Sequence, residues 1–143
     1  MSAMKILLAV DGSAYTKKML AYLTTHEDVF GSAPDYTLLT VQPALPPRAR
    51  ALAGKEAVET YQREEAEKVL APASKFLLRH GIEAKSVQKV GHAGEWISKT
   101  AESGKFDLVV MGSHGHGVLG NLVMGSVATQ VIGHCKVPVL LVR

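Results

Sequence analysis

Cysteine is nearly absent. Cys135 stands alone, so no disulfide can form within the chain, which fits a reducing compartment. No stretch approaches the run of about eighteen apolar residues that a membrane span needs. The run Ile6 to Val10 is too short for a signal-peptide core and ends at Asp11. These absences make a cytoplasmic protein without a membrane anchor the expectation. Aromatics are only 6% of residues and the net charge is only +3. No run of lysine and arginine interleaves with aromatics, so nothing argues for nucleic acid as a partner. The better-known phosphate motifs are missing too. There is no G-x4-G-K-[S/T], which excludes a P-loop. Asp11-Gly12-Ser13 follows the first apolar run, where a dinucleotide fold would carry G-x-G-x-x-G. His114, His116, His134 and Cys135 form no structural-zinc spacing, so no metal site is expected from them.

What is present is a globular pattern. Hydrophobic residues at 47% and charged residues at 20% exclude a disordered chain. A length of 143 residues suits one domain, 1–143, able to bury its core without staples. Met4 to Val10 reads as a strand buried on both faces. Ser13 is a good N-cap for a helix whose stripe is Tyr15, Met19, Tyr22 and Leu23. Tyr36 to Gln42 reads as a second strand. Ala44 to Gly54, with Pro46 and Pro47, reads as the longest irregular segment and a candidate mobile loop. Lys55 to about His80 is helical, with Pro72 expected to kink or divide it. Glu64 and Lys68 are spaced as an i,i+4 pair within it. Glu83 to Val90, Glu95 to Ser103 and Phe106 to Met111 follow as strand, helix and strand. A last helix from Gly125 to about His134 precedes a short strand, Val139 to Val142. The order βαβαβαβαβ predicts an α/β fold, a five-stranded parallel sheet with helices on both faces.

The most informative stretch is Met111 to Gly133. Gly112, Gly115, Gly117, Gly120 and Gly125 crowd the gap between a buried strand and a helix. Glycine is costly in regular structure. Such a density fits close approach of backbone to a ligand, with inward N–H groups and a helix start favouring an anion. Ser126 either caps that helix or turns its hydroxyl to the ligand. Together the strand, loop and helix start read as a phosphate cradle. Asp11, at the end of the first strand, is either a turn aspartate bonding its own backbone or a ligand contact. A carboxylate is repelled by triphosphate, so in the second case Asp11 faces the nucleoside.

Gly112-x2-Gly115-x9-Gly125-Ser126 matches the G-x2-G-x9-G-[S/T] signature of the nucleotide-binding branch of the universal stress protein family. Lys5 to Ser13 resembles that family's first strand and turn, and Cys135 to Arg143 its ending. The resemblance runs from Met4 to Arg143. It implies a Rossmann-like sheet of the adenine nucleotide alpha hydrolase-like kind, with strand order 3-2-1-4-5. It implies ATP as ligand, with a divalent cation such as Mg²⁺ carried on the nucleotide, and binding acting as a stress-response switch. Gly112, Ser113, Gly115, Gly125 and Ser126 would hold the phosphates, while Asp11 and the backbone of Val41 would hold adenosine. It also implies a homodimer through Val139 to Val142. Two rivals are a nucleotide-free scaffold of the same fold and an ATP-using hydrolase or transferase. The intact glycine signature disfavours the first. The loop offers no aspartate or glutamate to orient water, so at most a slow ATPase is expected.

Overall fold

The computed structural model describes residues 3–31, 33–116 and 124–143. Gly117 and Gly120 therefore lie outside the described residues. In chain order the elements are β1 (Lys5–Ala9), α1 (Ala14–Thr25), a 3-10 turn (Glu27–Phe30), β2 (Asp35–Gln42), α2 (Pro47–Ala53), α3 (Lys55–Arg79), β3 (Lys85–Val90), α4 (Ala93–Ser103), β4 (Leu108–Gly112), α5 (Ser126–His134) and β5 (Val139–Val142). All strand pairs are parallel, and the sheet order is β3-β2-β1-β4-β5. This is the expected order, with β1 and β4 side by side at the switch in direction. No helix of the described residues is long and apolar enough to cross a membrane.

Side-chain alternation along β1 divides the core in two. Ile6, Leu8 and Val10 face α1 and α3, meeting Met19, Leu23, Leu70 and Leu77. Leu7 and Ala9 face α4 and α5, meeting Ile97, Ala101, Ala128 and Val131. β1 is thus buried on both faces, as its unbroken apolar run requires. Cys135 caps α5 and packs, half-buried, on the second cluster. β3, at one edge, leaves part of its length exposed.

Helix ends follow local chemistry. Ser13 is the N-cap of α1, its Oγ accepting from Thr16 N at 3.4 Å. α3 ends in a Schellman turn: Ile82 N donates to Leu77 O and Gly81 N to Leu78 O, both at 2.9–3.0 Å. That turn needs the left-handed φ of +77° that Gly81 supplies.

Three expectations need correction. The segment Ala44 to Gly54 is not irregular, because Pro47–Ala53 forms α2. Pro47 occupies the first helical turn, where its missing N–H costs nothing, and Arg48-Ala49-Arg50-Ala51-Leu52-Ala53 are strong helix formers. Gly54 then ends the helix, donating to Arg50 O at 3.0 Å. Pro72 does not divide the long helix, since α3 runs unbroken for 25 residues. Its cost of about 3 kcal/mol is offset by a buried face of Val58, Ala66, Leu70, Ala73 and Leu77, and its ring sits on an exposed position. Finally, Lys68 pairs with Glu65 at 2.6 Å, an i,i+3 partner one residue closer than Glu64.

Candidate functional site

The carboxyl ends of β1, β2 and β4 meet at a cleft of about 290 Å³. This is the switch point of the sheet, where ligands of open α/β folds bind. Apolar side chains of Leu39, Val41, Ile97 and Met111 form one wall. The other is built from Asp11, Thr16, the loop after β4 and the start of α5. Of the residues singled out in the sequence, Asp11, Val41, Gly112, Gly115, Gly125 and Ser126 all line this cleft. Asp11 and Gly115 are brought together across a hundred residues: a β-carbon on Gly115 would lie 2.8 Å from Asp11 Oδ2.

Asp11 is a turn aspartate and a cleft residue at once. Its Oδ1 accepts from Ser13 N at 2.9 Å and from Thr16 Oγ1 at 2.8 Å. Thr16 Oγ1 also accepts from Asp11 N at 3.0 Å. With Oδ1 saturated by local donors, Oδ2 is the oxygen left toward Gly115. The turn reading and the ligand reading therefore do not compete.

Val41 offers a different surface. Val10 N donates to Leu39 O at 2.9 Å, so Leu39 turns its backbone groups toward β1. Gly91 N donates to Gln42 O at 2.9 Å, so Gln42 turns toward β3. Backbone direction alternates along a strand. Val41 hence points its N–H and C=O to the β1 side, beyond the end of β1. One donor and one acceptor project there in the plane of the sheet.

The glycine loop departs from expectation at Gly112 and Ser113, and of the two readings of Ser126 the capping one fails. Gly112 lines the cleft, yet its missing side chain is needed on the other side: a β-carbon would lie 2.7 Å from Tyr15 Cβ and 3.1 Å from the Tyr15 backbone. Ser113 does not line the cleft. It is buried, its Oγ 2.7 Å from His114 Nδ1, its N donating to Val142 O and its carbonyl accepting from Gly125 N. Ser126 is not the cap of α5. Gly125 is the N-cap and makes no side-chain cap bond, and Ser126 is the first helical residue, exposed at the cleft. Ser126 therefore lies at the cleft and does not cap the helix.

Three contributors, Thr16, Ala93 and Ile97, were not legible in the sequence. Thr16 holds Asp11; its place five residues after a turn aspartate was the available signal. Ala93 and Ile97 bring α4 into the wall, because the turn after β3 opens at the same end of the sheet. His116 reaches across to the Asp11 carbonyl, Nε2 to O at 2.6 Å. A carbonyl only accepts, so Nε2 carries the proton. Among the described residues no lysine or arginine lines the cleft, and none occurs between Gly112 and Ser126.

The model of the universal stress protein family matches residues 3–143. The chain belongs to the universal stress protein family. A universal stress protein of Thermus aquaticus is 35% identical over 140 residues, covering 96% of this chain and 97% of the relative. One from Synechocystis sp. is 34% identical over 139 residues, 97% of this chain but 42% of the relative. The chain thus spans less than half the length of that longer relative. Among solved structures, hypothetical protein MJ0577, of Methanocaldococcus jannaschii, has a TM-score of 0.80 at 29% identity, over 99% of this chain and 96% of that one. Family members of lower identity share the fold. One is a universal stress protein from Archaeoglobus fulgidus in complex with dAMP, at TM-score 0.68 and 22% identity over the whole of both chains. Another is an Arabidopsis thaliana family protein with AMP bound, at TM-score 0.68 and 18% identity over 97% of this chain and 90% of that one.

Proposed function

We propose that this universal stress protein binds an adenine nucleotide in the Asp11 cleft, that ATP is its cellular ligand, and that binding acts as a switch in the stress response. The observation that carries this is the meeting of three parts at one switch point: an apolar wall, an in-plane backbone donor and acceptor at Val41, and a glycine loop running into α5. Adenine is a flat apolar ring with a donor–acceptor edge. It fits between Ile97 and Met111 with that edge on the Val41 backbone. Asp11 Oδ2 accepts from a ribose hydroxyl. Phosphates lie over Gly115 and Gly125, at the start of α5, where N–H groups and the helix dipole favour negative charge. The Ser126 hydroxyl adds one further donor. The family members solved with dAMP and AMP support the choice of an adenine nucleotide.

A Mg²⁺ ion fits this site only as a passenger. Magnesium takes oxygen ligands and commonly keeps waters and substrate phosphates. Among the described residues no three His, Cys, Asp or Glu side chains converge to hold a metal. The cation would be bound chiefly by the nucleotide's own oxygens, with the Ser126 hydroxyl in reach of the same phosphates.

The proposal extends to assembly. β5 pairs only with β4, and its four residues are all half-buried. An apolar edge strand with unpaired backbone invites a second copy across a two-fold axis. Mass spectrometry of small molecules released from the purified protein tests the ligand. An adenine nucleotide at near one equivalent is expected. Protein that carries none, and takes up none on incubation with ATP or AMP, would remove the proposal.

A further inference from the structure

A second cleft, of about 670 Å³, lies between α1 and α3 and adjoins the first at Thr16. It is larger than the Asp11 cleft and within the range of about 300–1,000 Å³ common to small-molecule pockets. Its floor is apolar: Leu20 from α1, with Val69, Pro72, Ala73 and Phe76 from α3. Its lining includes four cations, Lys17, Lys68, Lys75 and Arg79, and no aspartate or glutamate. Glu65 engages Lys68. Among the described residues, Lys17, Lys75 and Arg79 have no ion-pair partner. Lys75 and Arg79 stand one turn apart on the same helix, where like charges repel. An anion beside them relieves that repulsion, and an apolar body covers the floor.

We propose that the α1–α3 cleft binds a small amphiphilic carboxylate. Its tail lies on Leu20, Val69 and Phe76, and its head sits at the rim formed by Lys17, Lys75 and Arg79. The two clefts adjoin at the Asp11–Thr16 turn, since Thr16 lines both, so the site is tested with the Asp11 cleft already occupied.

The test is calorimetric titration of dodecanoate, below its micellar range, into the full chain with excess AMP present. Dodecyltrimethylammonium, with the same tail and the opposite charge, is the comparator. Two variants locate the site: Lys75→Glu/Arg79→Glu at exposed rim positions, and Ala71→Trp, which fills the hollow. Circular dichroism checks their folding. Dodecanoate should bind one to one. The cationic comparator should bind at least tenfold more weakly, as should dodecanoate to either folded variant. Should Ala71→Trp not fold, the rim variant decides alone. Absence of saturable dodecanoate binding, or equal affinity in wild type and the rim variant, overturns the proposal. So does stoichiometric displacement by AMP, which would put the anion in the Asp11 cleft. Because AMP binding is read separately by titration of AMP alone, failure here leaves the nucleotide proposal standing.

Discussion

Thr16→Val is the sharpest probe of the Asp11 turn. Valine keeps the shape of threonine and removes only the hydroxyl. That hydroxyl donates to Asp11 Oδ1 at 2.8 Å and accepts from Asp11 N at 3.0 Å, and Thr16 is buried at 6% exposure. A neutral hydrogen bond is worth about 1 kcal/mol net and one to a charged group about 1.5–3 kcal/mol. Asp11 is partly exposed, so water recovers part of the second. A net loss of about 2 kcal/mol follows. Unfolding entropy near 2.1 cal/mol/K per residue gives about 0.3 kcal/mol/K for a chain of 143 residues. The melting temperature should therefore fall by about 7 °C, read by circular dichroism. Thr16→Ser keeps both bonds and should recover most of the loss. Adenosine affinity should fall with Thr16→Val as well, because Asp11 loses the donor that fixes its rotamer. A folded Thr16→Val protein with unchanged melting temperature would show that the turn does not depend on this side chain.

Three further outcomes are expected. Gly112→Ala places a β-carbon 2.7 Å from Tyr15 Cβ and 3.1 Å from helix backbone, so it should destabilise the fold by about 1–3 kcal/mol; an unchanged urea midpoint would contradict this. Burial, aided by the charge of Glu27, holds the Tyr36 phenol above its ordinary value. The folded state keeps this proton while the unfolded chain loses it, so stability is complete below about pH 10 and falls as pH rises above it. Tyr36→Phe should flatten that alkaline decline in thermal melts, and identical alkaline limbs would count against it. Light scattering at micromolar concentration should give twice the 15.3 kDa chain mass, with Leu141→Lys yielding monomer or aggregate; a wild-type monomer would sink the β5 dimer.

Much of the fold was legible because its signals are local. β1 and β4 are unbroken apolar runs, and burial on both faces allows little else. Ser13 and Gly81 punctuate helices through their own side-chain or φ requirements. α2 was missed because a Pro-Pro pair reads as irregular chain when its position in a helix is unknown. A proline at the first turn and a proline at the fourth look alike in sequence, and only the neighbours' packing separates them. The expectation for Pro72 erred in the same sense, since a long packed face outweighed a local penalty.

The site divides along the same line. Asp11 and Gly125 lie beside a strand end and a helix start, and Gly115 in the loop after β4, places that sequence marks well. The purpose of each missing side chain is a matter of what faces it. Gly112 is needed by Tyr15 of α1, and nothing in the spacing of glycines reveals that. Ser113 turns inward to His114 while Ser126 turns outward, although both are serines beside a signature glycine. His116 bonding to the Asp11 carbonyl is a contact across the β1–β4 pair. It exists only once the sheet order has put those strands together.

Titration of ATP and AMP into wild type and Gly115→Val tests the central claim most directly. Among the described residues, a β-carbon on Gly115 meets only Asp11 Oδ2 and no backbone. Its substitution should spare the fold, as far-ultraviolet circular dichroism would verify, while filling the space between the Asp11 carboxylate and the start of α5. The account predicts saturable one-to-one binding of both nucleotides to wild type and no detectable binding to the folded variant. Unchanged ATP affinity in folded Gly115→Val, or no binding of either nucleotide to wild type, would contradict it.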